Sequence, residues 1–497
     1  MSNTDTAVPA AQGAAKKGPR KIGTLALVFM IIAASAPLTV VAGGTTSNFA
    51  VTSVLGIPLS FLVLGAVLAL FAVGFAALSN KVETAGAFYS YVARGLGRIP
   101  GVGAAWVAIV AYNAMQIGIY GMFGYATADL FSSVFSIVVP WWACALVGWA
   151  IVGILGVNAV DLSAKVLGIL VAAEFLVVIV YDLLALGDAP AGISSAGFLP
   201  ADLFTTGIGA ALSFSVAAFM GFESGAIYTD EVRDPRKTIR RATFTAVIVI
   251  AVFYAFSAWA MVMGEGPDNV VANSATNGPG VVFGMIGAHL PVWAVNLAQL
   301  LFVTSLLAAL VAFHNVVSRY LRSLSREGAL PKFLTTSRGA GQAPVAGSLT
   351  QSVLAAIVLI VFAIAGAGAE DPIMFPVLTL FTWLTNTGAL GLVALMALTS
   401  FAALAFLRRH PADFSVFTRL IAPGLAGVIL AAMTVLIIVN FPILVGLEPG
   451  NVLNWLLPVI AVVPGILGAI WAFWLRGAHP TEYLRIGHGA GKGTEEA

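Results

Sequence analysis

The 497-residue chain is 60% hydrophobic and only 9% charged, with a formal net charge of +2 and a mean hydropathy of +0.98. A water-soluble fold cannot hide that much apolar surface, because its exterior must be largely polar. Nothing in so small a net charge suits a nucleic-acid partner, and the single cysteine, Cys144, excludes an intramolecular disulfide.

Residues 1–20 are small and polar, and the basic residues Lys16, Lys17, Arg20 and Lys21 abut the first apolar run. That pattern predicts a disordered cytoplasmic tail before an uncleaved helix. Segments able to cross ~30 Å of hydrocarbon follow. They lie at 22–50, 54–80, 100–132, 139–160, 162–187, 204–230, 242–264, 291–324, 345–367, 373–407, 416–440 and 452–475. The predicted fold class is therefore an all-α integral membrane protein of about 12 transmembrane helices. An even count places both termini on one side, followed by a tail over 477–497.

The distribution of basic residues tests this division. With a cytoplasmic N-terminus, the inner segments and the two tails hold all 24 Lys and Arg, including Lys81, Arg94, Arg98, Lys165, Arg241, Arg319, Arg326, Arg409 and Arg476. The outer connections hold none, yet they carry Asp188, Asp202, Glu265, Asp268, Glu370, Asp371 and Glu448. No connection is long enough for a soluble domain, so any chemistry lies within the helices. The Gly491-Lys492-Gly493 sequence lacks the Ser or Thr of a phosphate loop and follows no strand, which excludes nucleotide binding there. No cofactor and no enzymatic activity are expected, since no metal-binding His pair or Ser-base motif occurs in a span.

Along the spans, a few residues break the apolar pattern. The first span contains Ala34-Ser35-Ala36-Pro37-Leu38-Thr39, where Pro37 cannot donate an amide hydrogen and frees backbone groups that lipid cannot satisfy. In the third, Tyr112, Gln116 and Tyr120 share a face by i, i+4 spacing with Asn113 beside them. The fifth holds Glu174, and the sixth reads Phe219-Met220-Gly221-Phe222-Glu223-Ser224-Gly225, an acid bracketed by glycines. Intramembrane acids are costly and are functional candidates by default. Asp129 and Asp182 sit toward span ends, where interfacial water is expected to reach them. His314 reads as a packing or gate residue. Interruptions at corresponding positions of two halves point to a transporter site, whose helix ends offer positive charge to a carboxylate and carbonyls to an ammonium. An amino acid carries both groups.

Three stretches then carry a family resemblance. They are Glu83-Thr84-Ala85-Gly86-Ala87-Phe88-Tyr89-Ser90-Tyr91, Asp230-Glu231-Val232-Arg233-Asp234-Pro235-Arg236-Lys237, and Ser318-Arg319-Tyr320 through Arg326-Glu327-Gly328-Ala329-Leu330-Pro331. With the two breaks, the chain from Lys21 to about Arg409 resembles the amino acid–polyamine–organocation permeases. The resemblance implies the leucine-transporter fold: a core over 21–409 of two inverted five-helix repeats, roughly 21–187 and 204–409, with two further helices in 410–476. Ala36-Pro37-Leu38-Thr39 stands where the family usually has Gly-Ser/Thr-Gly. The resemblance implies a substrate site at Ala34, Ser35, Ala36, Pro37, Leu38, Thr39, Asn113, Gln116, Phe219, Gly221, Phe222, Glu223 and Ser224, with Trp383 and Asn386 as weaker pocket candidates. Phe219 and Phe222 could close over a solute.

Glu174 falls where some members carry a lysine that stands in for a sodium ion. A carboxyl group there could carry the coupling proton, tying the scaffold to a carbonyl freed by Pro37, and Glu223 is the competing proton carrier. Thr304 and Ser305 are candidate sodium ligands; no other metal is expected. The expected function is secondary transport of an amino acid or related amine across the plasma membrane, with proton-coupled uptake preferred over sodium symport, exchange, or a transport-inactive sensor. No cluster of pocket acids or bases is visible, so a neutral substrate is the default.

Overall fold

The computed structural model describes residues 23–79, 81, 87–158, 164–223, 232, 235–337 and 343–487. The expected 1–20 tail, the end of the 477–497 tail, residues 83–86, Ser224 and most of 230–234 lie outside them. Among the described residues the regular elements are helices, α1 (Thr24–Ser35), α2 (Thr46–Thr52), α3 (Ile57–Ser79), α4 (Ala87–Leu96), α5 (Arg98–Phe135), α6 (Trp141–Val157), α7 (Ala164–Asp188), α8 (Pro200–Leu203) and α9 (Ile208–Phe219). They continue as α10 (Pro235–Glu265), α11 (Val270–Asn277), α12 (Gly280–His289), α13 (Val292–Arg326), α14 (Val345–Gly366), α15 (Thr382–Leu407), α16 (Ala422–Val445), α17 (Leu453–Ala478) and α18 (Pro480–Arg485).

Among the described residues ten helical stretches are long and apolar enough to span a bilayer, and the shorter apolar helices α6 and α9 lie in the two remaining predicted spans. The protein is an all-α integral membrane protein whose first and sixth spans are broken. Its outer helices turn whole apolar faces outward. Ile357, Val361 and Ile364 on α14, and Val428, Val435 and Val439 on α16, are exposed at helical spacing, as lipid contact requires and water would not tolerate. Between the seventh and eighth spans the chain folds α11 and α12 where the sequence division left a loop.

The axis of the fold is α5. At 1.5 Å per residue its 38 residues run for about 57 Å, well beyond a ~30 Å hydrocarbon layer. It packs against α4, α6, α13, α15 and α17, and small residues set the closest approaches. A Cβ on Gly388 would sit 2.7 Å from the Ala111 carbonyl, and one on Gly103 would sit 2.6 Å from the Gly465 carbonyl. Without a hydrophobic driving force between helices in lipid, such backbone contact supplies the association energy.

Asp182 corrects one expectation. It is 1% exposed, held between α7 and α10, and accepts a hydrogen bond from the Ser257 hydroxyl at 2.9 Å. Interfacial water does not reach it.

Outside the spans, α12 is pinned to the end of α7. His289 Nε2 lies 3.0 Å from Asp188 Oδ1, and its Nδ1 lies 3.1 Å from the Met285 carbonyl. The Met285 bond and the Asp188 carboxylate raise its pKa above the ordinary imidazole value. Only the imidazolium donates at both nitrogens. The tie is therefore complete below about pH 6.5, the ordinary imidazole value, and is lost as pH rises through the raised value. Hydrogen exchange in 280–289, corrected for intrinsic rates, should be faster at pH 8 than at pH 5.5. His289→Phe should abolish that difference, and an unchanged difference in the variant would assign it elsewhere.

Candidate functional site

The two breaks meet. After α1, Ala36 adopts φ 48° and ψ 75°, a left-handed conformation that costs a non-glycine residue about 1–3 kcal/mol. The helix resumes at Pro37, whose missing amide is harmless in a first turn. It continues through a π-helical stretch, Thr39–Thr45, into α2. After α9, Met220 is extended (φ −57°, ψ 135°) and Gly221 takes φ +102°. A Cβ on Gly221 would come within 2.8 Å of the Ala34 Cβ and 3.2 Å of its carbonyl. Glycine is required here twice over, by its dihedral and by the approach of the opposite break.

Each break has its own carboxylate. The amide freed at the restart of the first span, Leu38 N–H, donates to Glu174 Oε2 at 3.3 Å. The Ser305 hydroxyl of α13 faces the same carboxyl group and lies 3.1 Å from the Thr39 hydroxyl. One polar knot thus joins the first, fifth and eighth spans, with Glu174 4% exposed. It corrects the expected chemistry: Glu174 accepts from a freed amide, because Pro37 opens the N-terminal end of the resumed helix toward it. Of the two sodium candidates, Ser305 belongs to this knot, whereas Thr304 returns its hydroxyl to the Leu301 carbonyl at 3.0 Å.

Glu223 braces the second break. Gly221 N–H donates to its Oε2 at 3.0 Å, and the Tyr112 hydroxyl of α5 donates to its Oε1 at 2.5 Å. Beyond Tyr112 the rings of Tyr320 and Tyr89 follow at centroid spacings of 6.2 and 5.6 Å. The column ends at Glu327, which accepts from the Tyr89 hydroxyl at 2.7 Å and from Gly487 N–H at 2.8 Å. Glu327 of the Arg326-Glu327-Gly328 motif therefore anchors the segment after α18.

Between the breaks lies a cavity of about 50 Å³. Ala34, Ser35, Ala36 and Thr39 line it from the first span, Met115 and Ile119 from α5, and Ala309 and Phe313 from α13. Phe214, Ala217, Ala218 and Met220 close it from the sixth span, and Phe381 and Thr385 from the tenth.

Several expected residues lie elsewhere. Pro37 and Leu38 belong to the restart of the helix, outside the cavity lining. Phe219 packs on Phe61 and Tyr254, and Phe222 stands edge-on to Phe71. Both are buried in the contact with α3, where neither can act as a lid. Asn113 spends its amide on the Ile109 carbonyl at 2.7 Å. Gln116 is turned away, into a buried cluster with Tyr120, His314 and Gln351 that also includes Ser348. Trp383 donates to the Val445 carbonyl and Asn386 to the Thr382 carbonyl, while their neighbours Phe381 and Thr385 face the cavity. Ser224 is outside the described residues.

Tyr254 was not foreseen. Fully buried on α10, its hydroxyl lies 3.0 Å from the Ser35 hydroxyl and 3.3 Å from the Ser35 carbonyl. The available signal was a lone hydroxyl in the apolar run Val252-Phe253-Tyr254-Ala255, since a buried tyrosine needs a partner. Among the described residues no group of three or more His, Cys, Asp or Glu could hold a metal ion.

Residues 22–464 match the profile of a family described as amino acid permease. Among curated proteins the chain is 29% identical over 150 residues to the putrescine transporter PotE of Haemophilus influenzae, a match covering 30% of this chain and 32% of that one. It is 26% identical over 162 residues to the mitochondrial cationic amino acid transporter 3 of Arabidopsis thaliana, covering 32% of this chain and 26% of that protein. The chain thus spans about a third and a quarter of these relatives' lengths. A mutant of the manganese transporter of Eremococcus coleocola superposes over 95% of this chain and 98% of its own, with a TM-score of 0.54 and 13% identity. That likeness is one of fold.

The contact between breaks makes a sharp contrast between two glycines. Gly221→Ala must accommodate both a positive φ and the Ala34 backbone, which should cost about 1–3 kcal/mol. It should lower the melting temperature of the purified protein by about 1–3 °C. A Cβ on Gly44, in the same first span, meets nothing within 4 Å, so Gly44→Ala should melt with the parent. Equal melting of both variants would dissolve the contact.

Proposed function

The chain belongs to the amino acid permease family, and we propose that it is a secondary active transporter that moves an amino acid or related amine across the plasma membrane by alternating access. In this reading both termini are cytoplasmic, as the Lys and Arg distribution of the sequence requires. The names of the relatives, a putrescine transporter and a cationic amino acid transporter, put amines and amino acids in the same frame. The solute would occupy the cavity between the breaks, against Ser35, Thr39 and Thr385. The two inverted repeats, 21–187 and 204–409, would contribute one broken helix each.

Uptake is coupled to protons through Glu174. The observation that supports this is the knot of Glu174, Leu38 N–H, Ser305 and Thr39. A hydroxyl can donate to a carboxylate or accept from a carboxylic acid, so Ser305 serves both protonation states without rebuilding the knot. The neutral acid is the form that apolar walls accept. A charged Glu174 enclosed there is costly and favours the conformation that admits water. Two conformations that bind the proton unequally are the minimum requirement for coupling. In this scheme Glu223, held by the Gly221 amide and the Tyr112 hydroxyl, is a brace of the second break.

In proteoliposomes Glu174→Gln should still exchange solute at equilibrium yet lose the acceleration given by an inward proton gradient, by roughly tenfold or more. Glu223→Gln should instead weaken exchange and thermal stability together while retaining its response to the gradient. Full proton-driven uptake in Glu174→Gln, or a strict sodium requirement in the parent, would refute the assignment.

A further inference from the structure

Resting on the carrier reading, we propose that the transported solute is a zwitterionic amino acid with a short aliphatic side chain, and that the cavity excludes diamines and cationic amino acids. Three observations carry this.

The first is that, among the described residues, the lining holds no ionisable side chain. Its polar side chains are the hydroxyls of Ser35, Thr39 and Thr385, and the rest of the wall is Ala, Gly, Val, Ile, Met and Phe. A diamine or a lysine would bring a second ammonium into this wall. An unpaired charge at that depth is costly whatever the affinity of the rest of the molecule.

The second is that neither nearby acid is available to pair with it. Glu174 faces the Leu38 amide and Ser305. Glu223 faces the Gly221 amide and the Tyr112 hydroxyl. Both are buried, and neither lines the cavity. Recruiting either one would strip a broken helix of the group that satisfies its freed amide. A zwitterion makes no such demand. The carbonyl-rich ends of α1 and α9 suit its ammonium, and its carboxylate can take the Thr39 hydroxyl at the restart of the first span, the Ser35 hydroxyl donating instead to the Ile32 carbonyl at 2.8 Å.

The third is size. A water molecule needs roughly 10–15 Å³ of such space, so the cavity of about 50 Å³ accepts about three to five waters, or a solute of alanine's bulk. Met115 and Ile119, one turn apart on α5, and Phe381 bring apolar side chains to the cavity, and in this proposal they form its apolar end. The extended chain of lysine or a diamine overruns that end. Met115 and Ile119 are therefore the specificity-determining residues for side-chain length.

The test is counterflow into proteoliposomes of the full chain, with each solute unlabelled inside and labelled outside: alanine, valine, phenylalanine, lysine and putrescine. Alanine and valine should accumulate, with lysine and putrescine at one-tenth of that or less. Lysine or putrescine matching alanine would overturn the inference and leave the carrier reading standing. Counterflow by no solute would sink the carrier reading and this inference with it. Met115→Ala and Ile119→Ala then report on the wall. Each should raise phenylalanine exchange relative to alanine by about tenfold, the scale on which a pocket reads one or two methylenes. A merely structural defect would lower every solute alike. An unchanged phenylalanine-to-alanine ratio in both variants would overturn their role as the apolar end.

Discussion

A backbone amide opened inside an apolar medium must find a partner within the protein, and the arrangement of the site follows from that. Pro37 and Gly221 each stop a helix where water is scarce, and each stop strands amides that an uninterrupted helix would have paired. The chain answers with one carboxylate per break. Glu174 reaches Leu38 N–H from another helix, while Glu223 curls back on Gly221 N–H from two residues away. This difference in origin separates their roles. A local brace moves with its own break, whereas a brace from α7 links the first span to a helix on which it otherwise only packs.

That link extends through Ser305 to α13 and through Thr39 back to the first span, while Tyr254 holds the other side of the same break by its hydroxyl. The first span is thereby gripped at its interruption by α7, α10 and α13. Strain at Ala36 (φ 48°) is tolerated because these partners over-determine the turn. A shift of the first span against its neighbours would have to exchange several buried hydrogen bonds at once, which favours discrete states over gradual deformation.

The cavity shows the converse economy. The polar residues that a third-span helix wheel places beside the site, Gln116 and Tyr120, are consumed by the buried cluster around His314, and they fasten α5 to α13 and α14. What remains for a solute is hydroxyls, helix ends and apolar wall. Polar side chains deep in a membrane protein are thus a poor guide to a binding site unless their partners are known, since helix association uses the same groups.

The sequence by itself determined the all-α membrane fold, most span ends among the described residues to within a few positions (α10 begins at Pro235, where 242 was expected), and the positions of both breaks. It could do so because hydrocarbon thickness fixes span length and because a proline or a glycine pair beside a polar residue marks where a helix is weakest, although Pro442, Pro458 and Pro464 lie inside continuous helices. It also singled out Glu174, since a charge in an apolar run is legible without any fold. Only the tertiary structure decided which way side chains face. Helical periodicity puts Gln116, Phe219 and Phe222 on identifiable stripes, yet in a bundle apolar on nearly every side the stripe does not say which neighbour it meets. So Phe219 and Phe222 went to α3, Gln116 to the His314 cluster, and Met115, Ile119, Phe381 and Thr385 to the cavity. The direction of the Glu174 hydrogen bond was decided there too. The restart of the helix at Pro37 turns an amide toward the fifth span, and that orientation depends on the left-handed turn at Ala36, a conformation imposed by packing rather than by the local sequence.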